Sequence, residues 1–155
     1  MSRATAEGDA FSELVIEVFR LNGLLLAAGD RMAGPSGLTS ARWQVLGVVE
    51  HAPAPVAHVA RTMGLTRQAV QATADSLERE GFIEYRDNPH HRRAKLIVPT
   101  ARGLEALRRA QAAQGAWADR VGAGVGRDAL RAALDGLRRA RRLLEEGAGP
   151  TGPEP

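Results

Sequence analysis

Residues 65–81, LTRQAVQATADSLEREG, decide the fold. Thr66 suits the N-cap of a helix, because its hydroxyl can accept a hydrogen bond from an otherwise unpaired amide of the first turn. Gly81 suits the left-handed position that ends such a helix. Between them Val70, Thr73, Ala74 and Leu77 recur at helical spacing and form a stripe that packs inward, leaving Arg67, Gln68, Gln71 and Asp75 to point elsewhere. The outward side is therefore rich in forked donors and acceptors.

On the N-terminal side, residues 56–63 place Val56, Val59, Ala60 and Met63 on one face, and Gly64 and Leu65 turn the chain into the next helix. That is a helix-turn-helix. On the C-terminal side the period changes: Phe82, Ile83 and Tyr85, and then residues 95–98, have the β-branched and aromatic content of two short strands. The loop between them, residues 86–93 (RDNPHHRR), is turn-rich and basic. Helix, turn, helix and basic hairpin in that order make a winged helix. Such a unit can seat a helix in the major groove of duplex DNA while the hairpin reaches the backbone or the minor groove.

A chain of 155 residues is sized for one domain with oligomerisation helices, with no room for a second catalytic domain. The formal charge is only +3 although the sequence pI is about 10.4, so basicity matters only where it is concentrated. Arg86, Arg92, Arg93 and Lys95 concentrate it, with His90 and His91 adding charge below neutral pH. The absence of cysteine excludes disulfides, thiolate zinc sites and thiol redox sensing. No apolar run approaches the roughly 20 residues that span a bilayer, and the opening MSRATAEGDA lacks a signal-peptide core, so no membrane partner and a cytoplasmic location are expected.

In order, residues 1–9 are small and polar and are expected to be disordered. The first helix is expected from near Ala10, with Phe11, Leu14, Val15, Val18 and Phe19 on one face and Leu21, Leu24, Leu25 and Leu26 making its second half apolar almost all round. Residues 34–37 end it, and Thr39 or Ser40 can cap a second helix that carries Trp43, Val45, Leu46, Val48 and Val49. Residues 53–55 (PAP) break that helix. Thr100 caps a later helix bearing Leu104, Leu107 and Trp117, which Gly122, Gly124 and Gly126 are expected to interrupt. A last helix is expected over residues 127–146, striped by Leu130, Leu134, Leu137, Arg141 and Leu144 at close to the 3.5-residue period of paired helices. The Arg138, Arg139, Arg141 and Arg142 run beside that stripe reads as interface rim, and residues 147–155 as a flexible tail.

The expected organisation is thus a single domain over residues 10–146. Residues 39–99 form the winged helix-turn-helix, and residues 10–33 and 100–146 supply helices for a homodimer. The terminal helices have no sheet to cover them, so their apolar faces most readily meet a second copy. A twofold dimer carries two reading heads, which suits half-sites about one helical turn, ~34 Å, apart.

These residues resemble the MarR family of bacterial transcription regulators. The likeness rests on Leu38 and Thr39 with Trp43, Val45 and Leu46; on residues 64–67 (GLTR) opening the recognition helix; on residues 77–83 (LEREGFI) closing it; and on residues 88–95 (NPHHRRAK) followed by Thr100 and Gly103. It spans roughly residues 11–145. The resemblance implies a homodimer bound to a pseudo-palindromic operator, usually as a repressor, and often released by a small aromatic effector. By position it puts Thr66, Arg67, Gln68 and Gln71 at the groove-facing start of the recognition helix, and makes Arg92 and Arg93 the paired arginines of the wing. Two positions depart from the pattern: His91 stands where the family commonly has an acid, and Ala72 where it often has a basic residue.

The DNA-binding set is therefore Thr66, Arg67, Gln68, Gln71, Arg92, Arg93 and Lys95. Arg67 can serve a phosphate, a base or an internal acid such as Asp75, with phosphate the first choice. Gln68 and Gln71 can each bond adenine at two points. Trp43, on an apolar face, is core or the lining of an effector pocket, with His51 as its companion. His51 and His58 have no cluster of further ligands around them, so no metal and no cofactor are expected. The chain also lacks a phosphate loop, nucleophile elbow or paired-carboxylate setting, so an enzyme is not expected. The alternative is a winged helix that binds proteins without DNA, which should present an apolar patch in place of Arg67, Arg92, Arg93 and Lys95.

Overall fold

A computed structural model describes residues 5–147. Six helices and three short strands run in the order α1 (Ala6–Ala33), α2 (Ser40–Val49), β1 (Ala54–Pro55), α3 (Val56–Met63), α4 (Arg67–Arg79), β2 (Ile83–Arg86), β3 (Leu96–Pro99), α5 (Ala101–Val125) and α6 (Arg127–Glu145). A 3-10 turn over Gly34–Ser36 follows α1. The fold is mainly helical with a small antiparallel sheet, a winged helix-turn-helix between longer terminal helices. The chain divides into two compact units, Met1–Gln114 and Gly115–Pro155, with the boundary inside α5.

Local chemistry fixes most boundaries. The Thr66 hydroxyl accepts from the Ala69 amide at 3.1 Å and opens α4, and Gly81, at φ 79°, follows its last turn. Gly64 at φ 66° makes the turn between α3 and α4 in the left-handed region, where a side chain would be strained. Thr39, and not Ser40, caps α2 by accepting from Arg42 N at 3.2 Å. Ser40 instead ties α2 to α1: its Oγ donates to the Leu26 carbonyl at 2.6 Å and its amide donates to Asp30 Oδ1 at 2.7 Å.

Three expectations are corrected. Helix α1 begins at Ala6, not near Ala10, because Thr5 accepts from Gly8 N at 3.1 Å and supplies a cap, so residues 6–9 are helical. Residues 1–4 and 148–155, expected to be disordered or flexible, lie outside the described residues. Gly122 and Gly124 do not interrupt α5, which continues to Val125; a helix interior tolerates glycine at about 1 kcal/mol, and only Gly126, at φ 90°, turns the chain out of it. Residues 54–55 also do more than break a helix. They form β1, the edge of a sheet ordered β1-β3-β2, with Ala54 opposite Ile97 and Pro55 opposite Leu96. Proline is tolerated there because an edge strand leaves one side of its backbone unpaired.

The core of the first unit gathers Val45, Leu46 and Val49 of α2, Val59 of α3, Val70 and Leu77 of α4, Ile97 of β3 and Leu107 of α5, all fully buried. Ile97 is the hub of the sheet, paired with Ala54 on one side and Tyr85 on the other. Burying a side chain of this size contributes about 1.5–3 kcal/mol, so the helical stripe of α4 fixes that helix against the sheet. Gly103 lets the first turn of α5 lie against the Phe82 carbonyl, which a Cβ would strike. The wing is thereby held to the body where β2 begins.

Candidate nucleic-acid interface

The first turn of α4 and the wing meet around a cavity of about 580 Å³. Its lining combines Arg67, Gln68 and Gln71 of α4, Tyr85, Arg93 and Lys95 of the wing, and Pro55, Val56 and Ala57 where β1 enters α3. Five of the seven residues expected to bind DNA are thus brought to one place. Thr66 and Arg92 lie outside that lining. Thr66 spends its oxygen as the helix cap, which leaves its proton free to donate.

Short-range hydrogen bonds shape the wing tip. Asn88 Oδ1 accepts from His90 N at 3.0 Å, and Ala94 N donates to the His91 carbonyl at 3.1 Å. Arg92 and Arg93 are therefore the two central residues of a turn closed by His91 and Ala94, and both are exposed. His91 takes part in these turns through its backbone alone, its amide donating to the Asn88 carbonyl at 3.2 Å. Arg86, counted with the basic loop, is different: it pairs with Glu84 on its own strand. Among the described residues, Arg67, Arg92, Arg93 and Lys95 enter no ion pair. Arg67, Arg93 and Lys95 on this concave face, with Arg92 beside them at the wing tip, form an electrostatic footprint for a polyanion.

Two polar clusters that sequence reasoning missed hold this face in place. Arg42 of α2 donates to both Glu80 oxygens, at 2.8 and 2.6 Å, to the Gly37 carbonyl at 3.1 Å and to Ser76 Oγ. The hydrogen bond from Arg42, followed by the attraction of the Arg42, Arg102 and Arg79 charges, holds the Glu80 carboxyl below its ordinary value. At the other end Tyr85 donates its phenol to Asp75 Oδ1 at 2.7 Å, and Gln71 Nε2 donates to Asp75 Oδ1 at 2.8 Å and to Tyr85 Oη at 3.1 Å. The bonds from Tyr85, first, and Gln71 lower the Asp75 carboxyl, while burial and the bond to Asp75 push the Tyr85 phenol up. Asp75 is thus committed to Tyr85 and Gln71, not to Arg67. Of these links only the i, i+4 spacing of Gln71 and Asp75 could be read from sequence.

A sequence profile described as "MarR family" matches residues 36–94, from the end of the 3-10 turn to the wing tip. The uncharacterized protein Rv2011c of Mycobacterium tuberculosis is 40% identical over 131 residues, covering 84% of this chain and 92% of that protein. The chain belongs to the MarR family. Among solved structures, the M. tuberculosis transcriptional regulator MOSR in complex with DNA is similar at 26% identity and TM-score 0.69, over 84% of this chain and 96% of that one. CouR from Rhodococcus jostii RHA1 bound to p-coumaroyl-CoA is similar at 27% identity and TM-score 0.68, over 91% and 95%.

In this winged helix-turn-helix, α4 is the second helix and residues 86–95 belong to the wing. Trp43 is half-buried against the core. His51 is exposed, its Nε2 3.7 Å from Glu50 Oε2, whose other partner is Gln111 Nε2 at 3.0 Å. Neither Trp43 nor His51 belongs to the cationic cavity. Among the described residues, no helix is long and apolar enough to cross a membrane.

Proposed function

We propose that this MarR-family chain is a homodimeric repressor that binds a pseudo-palindromic operator and leaves it when a small effector binds. The observation that carries the reading is the meeting of Arg67, Gln68, Gln71, Arg93 and Lys95 around one cavity, where the three cations enter no ion pair among the described residues. In that reading residues 39–99 bind DNA. Arg67, Arg92, Arg93 and Lys95 take phosphates or the minor groove, while Thr66, Gln68 and Gln71 face base edges. The DNA held by MOSR supports it.

Dimerisation would use residues 10–33 and 100–146. Phe11, Phe19, Leu24 and Leu25 of α1, and Leu130, Leu134, Leu137 and Leu144 of α6, are all exposed, more apolar surface than a stable monomer ordinarily leaves in water. A single-headed protein would gain little from a palindromic site, so the exposed faces and the reading head support one another. Effector release rests on CouR, which was solved with p-coumaroyl-CoA, and on the aromatic Trp43 with His51 near the end of the same helix. A ligand acts only through different affinity for the binding-competent and incompetent dimer.

The experiment is capture of fragments from the host genome by the full chain, with the mass of the free protein measured by light scattering. Enrichment of palindromic fragments by a dimer, and their release by an aromatic acid or its CoA thioester, is the expected result. A monomer that enriches no fragment would overturn the reading.

A further inference from the structure

Gln71 is surrounded by groups whose hydrogen-bond roles are fixed by chemistry. The Tyr85 phenol has one proton, and it lies on the line to Asp75 Oδ1 at 2.7 Å, since an ionised carboxylate can only accept. Once that proton is committed, Tyr85 Oη can offer Gln71 only a lone pair. Both neighbours of the Gln71 amide, Asp75 Oδ1 at 2.8 Å and Tyr85 Oη at 3.1 Å, are therefore acceptors. A flipped amide would set its oxygen against a carboxylate, so the nitrogen faces inward, toward the two acceptors.

We infer that Asp75 and Tyr85 are positioning residues that lock the Gln71 amide, so that the recognition helix presents Oε1 alone and selects a base-edge amino group, N6 of adenine or N4 of cytosine. This rests on the DNA-binding reading of α4. A free glutamine grips adenine with Oε1 on N6 and Nε2 on N7, and can also turn over to donate to guanine or thymine. The locked one can do neither. Guanine and thymine present acceptors to the major groove at the corresponding points, and against Oε1 these repel. The lowered Asp75 carboxyl fits this arrangement, because the acceptor state it requires persists throughout the neutral range. Asp75 sits one helical turn beyond Gln71 and Tyr85 on the wing strand, so the lock also couples the wing to the reading side chain.

The test is selection from randomised duplexes by the full-length wild type, followed by affinities for all four bases at each selected position. The expected result is one half-site position at which adenine and cytosine are accepted alike and guanine and thymine cost about fivefold, the weight of one net hydrogen bond. That split should vanish in Gln71→Ala. In Asp75→Asn, whose amide can donate to a flipped Gln71, the split should level while preferences elsewhere stay intact. Tyr85→Phe should narrow it to a smaller extent, and serves if the Asp75 variant does not fold. An unchanged split in both variants overturns the lock, as does a wild-type position that accepts adenine alone and depends on Gln71. Failure of the wild type to select any duplex would instead sink the regulator reading, and the lock with it.

Discussion

Arg42 and Glu80, far apart in sequence, form a two-pronged ion pair, with guanidinium nitrogens 2.8 and 2.6 Å from the two carboxylate oxygens. The pair ties the start of α2 to the last turn of the recognition helix, and the same guanidinium also holds the Gly37 carbonyl and Ser76. Such a fork fixes direction as well as distance. Arg42→Ala is expected to lower Tm by a few degrees at neutral pH and to weaken DNA binding without altering base preference. Thermal melts with duplex titrations check it.

The same pair sets a pH dependence. Arg42, first by its hydrogen bond and then by its charge, holds Glu80 below its ordinary value of 4.5. A carboxyl lowered in the folded state contributes stability that is present above that ordinary value and lost as pH falls through the lowered one. The Tm gap between wild type and Glu80→Gln should therefore be full at neutral pH and close only in acid below 4.5. A gap independent of pH would contradict this.

Tyr85 is the sole tyrosine, so its ionisation can be followed by ultraviolet absorbance. Burial, the hydrogen bond to Asp75 and the charges of Asp75 and Glu78 raise the phenol well above its ordinary 10.0, with the bond from Gln71 acting against them. Arg67, Arg93 and Lys95 line the same cavity. A raised phenol contributes stability that is complete below its ordinary value and lost as pH rises through the raised one. Asp75→Asn should bring the titration down toward 10.0, and an unmoved midpoint would contradict the contact.

Gly103 permits the approach of α5 to the Phe82 carbonyl, the oxygen that also accepts from Thr100 N at 3.0 Å. Gly103→Ala should destabilise the fold by about 1–3 kcal/mol in spite of alanine's better helix propensity, because the obstruction is backbone and cannot swing aside. Denaturant unfolding checks the sign.

Phe19 and Leu24 of α1 are 72% and 69% exposed. If they meet a second copy, the charge introduced by Phe19→Glu or Leu24→Glu should yield a monomer by light scattering. Losing the second reading head should then weaken operator binding by about 10²-fold or more. A dimer that persists would place the interface elsewhere.

What could be read from sequence was what is written locally. Thr66 and Gly81 mark the ends of α4 because a cap hydroxyl and a left-handed glycine act on their own neighbours, and Val70, Ala74 and Leu77 show their face by period alone. The strand at Ala54 and Pro55 was hidden, since two residues carry no period and its ladder partner Ile97 lies far along the chain. The same holds at the interface. Arg67, Gln68, Arg93 and Lys95 could be singled out by type and place, and the structure brings them to one cavity, but the contact of Gln71 with Tyr85 was hidden because Tyr85 comes from another element. Arg42 and Glu80 carried no sequence signal. Gly122 and Gly124 misled because a glycine costs a helix interior only about 1 kcal/mol, too little to end α5.

The most direct measurement of the central claim, that the recognition helix and wing together grip duplex DNA, is affinity against salt concentration for wild type and Arg93→Ala on a selected and a random duplex. A wing arginine on the backbone predicts weaker binding of both duplexes by the variant, with a log–log salt slope shallower by about 1. Equal affinities and equal slopes for the two proteins, or no salt-dependent duplex binding by the wild type, would contradict it.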